Sequence, residues 1–124
     1  MISIIITNYN KSKYLKQMLT SCLNQTNNNF EIIFFDDKST DNSIEIAKSF
    51  KKFSKMKNNF KIFSRQTSKS KHNCYNQISA ITYALKHCKG SYISLLDADD
   101  LFDKDKIKNL HKLIKKKKYK IFYN

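Results

Sequence analysis

The sequence predicts an α/β fold, a mostly parallel sheet with helices on both of its faces. Short, continuous apolar runs, the mark of strands covered on both sides, alternate with longer segments whose apolar residues recur every three or four positions. Polar residues gather just after three of those runs, where open α/β sheets hold ligands beyond the carboxyl ends of their strands. Residues 1–124 are expected to form one domain, and a 40% hydrophobic and 13% aromatic content marks a folded chain.

Residues 2–7 form the first run, and residues 11–25 follow with Tyr14, Leu15, Met18, Leu19, Cys22 and Leu23 at helical spacing. Residues 30–35 give a second strand that ends at Asp36 and Asp37. Ser39, Thr40, Asp41 and Asn42 then offer N-cap side chains to a helix carrying Ile44, Ile46, Ala47, Phe50 and Phe53. Residues 60–63 read as a third, weaker strand and residues 64–76 as a polar loop. A helix resumes through Ile78, Ile81, Thr82, Ala84 and Leu85, and Gly90 is expected to supply its C-terminal stop. Residues 92–96 read as a buried fourth strand. Asp103 and Asp105 are expected in the first turn of a basic amphipathic helix over 103–117, built on Ile107, Leu110, Leu113 and Ile114. Residues 119–123 look like a fifth strand, and residues 115–118 are a lysine run.

The formal net charge is +14, which invites a nucleic-acid partner because lysines neutralise phosphates. The kind of base argues against it: of the 24 basic residues only Arg65 is arginine, and base-edge recognition favours the bidentate guanidinium. Thirteen asparagines and fifteen isoleucines accompany the lysines, the signature of A/T-rich codons. Attraction to anionic lipid or to an anionic substrate is the alternative use of the charge. Cys22, Cys74 and Cys88 are odd in number and widely spaced, which suggests neither a disulfide framework nor a zinc site. The apolar start is too short for a signal peptide or a membrane span, so a cytoplasmic setting is expected, with the basic segment 104–120 suited to a peripheral contact with an anionic membrane.

Asp97, Asp99 and Asp100 crowd three carboxylates into four positions at the end of a strand. Such charges repel, and solvent, a lysine or a divalent cation must relieve them. Asp97 and Asp99 are alternate residues leaving a strand, an arrangement that can aim oxygen ligands at a hard cation also held by phosphates. From the residues alone they also fit a plain turn; likewise Asp36 and Asp37 fit a turn with a helix cap, and Tyr9 a strand-end packing residue. His72, His87 and His111 have no ligand spacing and read as surface residues.

Four stretches in order, residues 2–10 (ISIIITNYN), 23–26 (LNQT), 30–42 (FEIIFFDDKSTDN) and 89–101 (KGSYISLLDADDL), resemble the nucleotide-sugar-binding part of the GT-A glycosyltransferases, in particular the inverting family two. The resemblance implies a Rossmann-like GT-A half in which Thr7 and Tyr9 flank the nucleotide base and Asp37 hydrogen-bonds it, with Asp36 in support. It implies that Asp99 ligates Mn²⁺ or Mg²⁺ and that Asp97 touches the ribose or a metal-bound water. It also implies a metal-dependent, inverting transfer from a nucleotide-diphosphosugar, a UDP-sugar first. Lys38 stands where the family has a glycine, and Ile81-Thr82 where it often has an Arg-Asn pair; Arg65, Lys69 or Lys71 are candidates to replace that pair. In the family the acceptor half and its general base follow this segment. The catalytic base is thus unassigned, and the chain is expected to need a second chain or to bind donor without transferring it. The rival readings are a non-catalytic, Mg²⁺-binding signalling module, which would need its paired acids after the first strand, and a lysine-rich nucleic-acid binder.

Overall fold

A computed structural model describes residues 1–116; the predicted fifth strand and the end of the lysine run lie outside them. The elements are β1 (Ile2–Asn8), α1 (Ser12–Leu23), β2 (Phe30–Asp36), α2 (Ser43–Phe53), a 3₁₀ turn (Lys57–Asn59), β3 (Phe60–Ser64), α3 (Asn73–Leu85), β4 (Tyr92–Asp97) and α4 (Lys106–Lys115). Among the described residues the strands form a sheet in the order β3-β2-β1-β4, every pairing parallel. The chain runs outward from β1 through β2 to β3, then returns to the other side of β1 as β4. The order therefore reverses between β1 and β4, and a crevice for ligands is expected at their carboxyl ends.

Helices cover both faces because β1 and β2 are apolar on both. Ile2, Ile4 and Ile6 of β1, with Phe30, Ile32 and Phe34 of β2, pack under Leu15, Met18, Leu19 and Cys22 of α1, Ala47 of α2 and Ile107 of α4. Ile5 and Ile33 face the opposite way, onto Ala84 of α3. The α1 residues lie at the spacing of one helix stripe, and each isoleucine, leucine or phenylalanine so buried contributes about 1.5–3 kcal/mol. Gln25 is buried at the end of α1. Its amide donates to Asp103 O (2.8 Å) and accepts from Ile107 N (2.9 Å), so it fastens α1 to the start of α4.

Several sequence expectations need correction. β4 reads as a buried strand, yet Tyr92, Ile93 and Leu95 are 38%, 42% and 51% exposed and only Leu96 is fully packed, because no described strand or helix covers its far side. Asn42 holds the N-cap position of α2 without a side-chain bond. Asp41 does that work: Oδ1 accepts from Ser43 N and Oγ, and Oδ2 from Ser12 N at the start of α1. Burial pushes the Asp41 carboxyl up, but the hydrogen bonds from Ser43 and Ser12 outweigh it and hold the pKa down at about 2. Asp103 and Asp105 lie ahead of α4 rather than in its first turn; Asp105 is the N-cap and accepts from Thr26 Oγ1. His87 is half-buried rather than on the surface, its ring 4.3 Å from that of Phe63 and 4.7 Å from that of Tyr83.

Gly90 is not a helix stop. α3 ends five residues earlier with Lys86 as its C-cap, and Gly90 has no positive φ. Its function is close approach: a Cβ there would lie 2.6 Å from Ser3 N and 2.9 Å from Ile2 C, on backbone that cannot move without disturbing β1. Gly90→Ala is expected to cost about 1–3 kcal/mol as an overpacked site, read as a fall in urea midpoint. An unchanged midpoint would show that the loop relaxes freely.

No helix among the described residues is long and apolar enough to cross a membrane. The three cysteines are free; burial pushes the Cys22 thiol up to about 12, leaving it inert, while Cys74 is exposed.

Candidate donor-binding site

The site begins with how β1 ends. Asn8 points its amide at Asp36 Oδ1 (2.8 Å) and Ser39 Oγ (3.0 Å), and Asp36 in turn accepts from Ser39 N (2.9 Å) and Ser39 Oγ (2.6 Å). Asp36 is buried and its carboxylate is spent on this lattice. Asn10 then turns the chain with φ 52° and receives Thr40 N on its Oδ1 at 2.7 Å. Lys38 adopts φ 59°, the left-handed conformation that a glycine takes without strain and that costs other residues about 1–2 kcal/mol. These contacts lock the loops after β1 and β2 to each other.

A cavity of about 360 Å³ opens at the crevice between β1 and β4, lined by residues that include Thr7 and Asn8 of β1 and Tyr9 just after it, Asp37 after β2, Lys69, Asn76 and Gln77 beside or on α3, Asp97 at the end of β4 and Asp99 in the turn that follows. Its volume lies at the lower end of the range for small-molecule sites. Of the six residues singled out by sequence, Thr7, Tyr9, Asp37, Asp97 and Asp99 come together here; Asp36 stands behind the lining.

Each carboxylate is met differently. Asp37 is almost enclosed and pairs with Arg65 Nε, and Lys69 Nζ lies 3.6 Å from its other oxygen. Arg65 also donates to Asn76 O (2.8 Å) and Ser79 Oγ (2.7 Å), so it ties α3 to Asp37 at the base of the cavity. Lys69 Nζ sits 3.2 Å from the centroid of the Tyr9 ring, which is 48% exposed. Asp97 accepts from Gln77 Nε2 at a long 3.4 Å. Asp99 accepts from Lys11 Nζ at 2.7 Å, and this bond and charge raise the lysine above its ordinary pKa and hold the carboxyl below its own. Asp97 O accepts from Asp100 N, closing the turn that presents Asp99.

Sequence reasoning missed Lys11, Asn73, Asn76 and Gln77 in the lining. The Lys11–Asp99 contact spans 88 positions and carries no local signal. Among the described residues no group of three or more His, Cys, Asp or Glu is placed to hold a metal ion. The donor set still fits Mg²⁺ or Mn²⁺, which protein carboxylates commonly hold by one or two groups with substrate phosphates completing the shell.

The fold and site define an α/β domain that presents carboxylates, an aromatic ring and lysines to a ligand at the carboxyl ends of a parallel sheet. The chain belongs to glycosyl transferase family 2, whose model matches residues 3–123. It is 38% identical over 107 residues to a glycosyltransferase of Haemophilus influenzae, covering 86% of this chain and 39% of that protein. Residues 1–349 of Staphylococcus aureus TarS in complex with UDP superpose with a TM-score of 0.75 at 27% identity, over 93% of this chain and 32% of that one. The mannosyltransferase PcManGT of Pyrobaculum calidifontis, in complex with GDP-Man and Mn²⁺, shares the fold with a TM-score of 0.74 at 20% identity, over 90% and 31% of the chains. The chain thus spans between 31% and 39% of the length of these three proteins.

Proposed function

We propose that the chain is the donor-binding part of an inverting, metal-dependent glycosyltransferase that takes a nucleotide-diphosphosugar, a UDP-sugar first. The observation that carries this reading is the convergence of Thr7, Tyr9, Asp37, Asp97 and Asp99 on one cavity at the β1/β4 switch point. The likeness to TarS, solved with UDP and with UDP-GlcNAc, supports the choice of nucleotide.

In this reading Thr7 and Tyr9 flank the base and Asp37, oriented by Arg65, accepts from its N–H. Lys69 swings off the ring face it covers, giving up a contact that an exposed site makes worth about 0.5–1 kcal/mol. Asp97 holds the ribose or a metal-bound water and Asp99 ligates the cation. Bound there, Mn²⁺ or Mg²⁺ neutralises the diphosphate and the charge that grows on it as it leaves. Inversion needs a base on the opposite face of the sugar; we assign it to the acceptor half, carried by this protein or by a second chain. The lysines of α4 suit a peripheral contact with anionic lipid at the cytoplasmic face.

Calorimetric titration of the chain with UDP and with GDP, with and without Mn²⁺, tests the reading. UDP binding at least tenfold tighter with Mn²⁺ is expected, and tighter than GDP. A folded chain that binds neither nucleotide in Mn²⁺ would sink it.

A further inference from the structure

The relief that Asp99 receives in this structure is a lysine. Lys11 and Asp99 both line the cavity, and both are partly open to solvent, their side chains 42% and 39% exposed. An ion pair this exposed to water is weak, so it is easily exchanged for a better partner. The backbone of Lys11 is nevertheless fixed: Asn10 before it is pinned to Ser39 and Thr40, and Lys11 O accepts Tyr14 N and Leu15 N as the first bonds of α1. Only the side chain is free to move, within the cavity.

The charges of the cavity favour a specific exchange. Its carboxylates Asp37, Asp97 and Asp99 are balanced by Lys69, Lys11 and the Arg65 guanidinium that clasps Asp37. A site so balanced gains little from a lone divalent cation, which must evict a lysine, and little from a lone diphosphate, which meets carboxylates. Cation and diphosphate together add almost no net charge and give every group a partner.

We infer that Lys11 is the stand-in cation of the donor site: it holds Asp99 while no metal is bound, yields that carboxylate to the divalent ion, and re-pairs with the diphosphate of the arriving nucleotide. Lys11 thereby makes metal and nucleotide binding mutually dependent, and excludes free metal from the empty site. This rests on the proposed donor-site reading.

The test is Mn²⁺ binding to the full chain, followed by the electron paramagnetic resonance of free Mn²⁺, without nucleotide and with saturating UDP. It is run on wild type, Lys11→Met, Lys11→Arg and Asp99→Asn. In wild type, Mn²⁺ alone should bind weakly and UDP should tighten it at least tenfold; by linkage Mn²⁺ tightens UDP equally. Lys11→Met should bind Mn²⁺ alone five- to tenfold more tightly and lose most of the enhancement by UDP. Lys11→Arg, which keeps the charge, should behave as wild type. An unchanged Mn²⁺ affinity and unchanged enhancement in Lys11→Met, with binding lost in Asp99→Asn, would overturn the role of Lys11 and leave the donor site standing. Mn²⁺ and UDP binding indifferent to Asp99→Asn would overturn the donor-site reading, and the role of Lys11 with it.

Discussion

Asp99→Asn is expected to weaken Mn²⁺-dependent UDP binding by about a hundredfold, equivalent to about 2.7 kcal/mol. The amide keeps the shape of the side chain but offers one neutral oxygen where a hard cation needs a charged one. Because Asp99 is exposed at the tip of a turn closed by its neighbours' backbone, the substitution should leave the fold untouched. Binding without metal separates loss of a ligand from general damage. UDP alone should bind Asp99→Asn at least as well as wild type, since a repelling carboxylate is gone and Lys11 is released to the phosphates. Equal losses with and without Mn²⁺ would show that Asp99 serves the nucleotide directly rather than through a cation. Asp97→Asn, farther from the metal in this reading, should cost about tenfold.

The parts of the fold legible in the sequence are those fixed by local pattern. The apolar runs of β1 and β2 and the stripe Leu15, Met18, Leu19 and Cys22 fall where periodicity puts them, because their burial and their spacing have the same cause. Polar strand ends likewise announced most of the cavity. β4 was misread because a run of apolar residues reports composition, whereas exposure depends on what lies beyond the edge. Gly90 was misread for a related reason: its neighbours in space are Ser3 and Ile2, on a strand nearly ninety positions away. Lys11 and Arg65 could not be paired with Asp99 and Asp37 from sequence, since the contacts span 88 and 28 positions and carry no local signal. The LNQT stretch was legible only as a resemblance. Its physical reason is the buried amide of Gln25, which joins α1 to the approach of α4 and so steadies the segment that follows Asp99 and Asp100.

Glu31 is the buried group whose removal should most disturb the fold. It sits second in an apolar strand, and its side chain is 1% exposed and fully engaged: Oε1 accepts from Ser3 Oγ (2.6 Å), Gly90 N (3.2 Å) and Lys89 N, and Oε2 from Lys61 Nζ (3.3 Å). One carboxylate thus joins β1, β2, β3 and the turn into β4, the strand that ends at Asp97 and leads to Asp99. Glu31→Ala would strip Lys89 N of its acceptor and Lys61 of its counter-charge, leaving Lys61 Nζ on His87 O and Gly90 N on Ser3 Oγ. Breaking a buried pair costs about 3–5 kcal/mol, and because Lys61 is 27% exposed the lower end is expected, about 3 kcal/mol. That corresponds to a loss of about 1–2 M in urea midpoint for a domain of this size. Glu31→Gln, which keeps an acceptor for the turn, should lose about half as much. The acid dependence supplies a second check. Burial pushes the Glu31 carboxyl up, but hydrogen bonds from Ser3, Lys89 and Lys61 and the lysine charge outweigh it and hold its folded pKa below the ordinary value. Its contribution is therefore fully present above the unfolded pKa, near 4.3, and is lost as pH falls through the lower folded value. The gap between wild type and Glu31→Gln should narrow over that acid range. A gap that stays constant with pH would show that packing, and not the charge of Glu31, holds the turn into β4 in place.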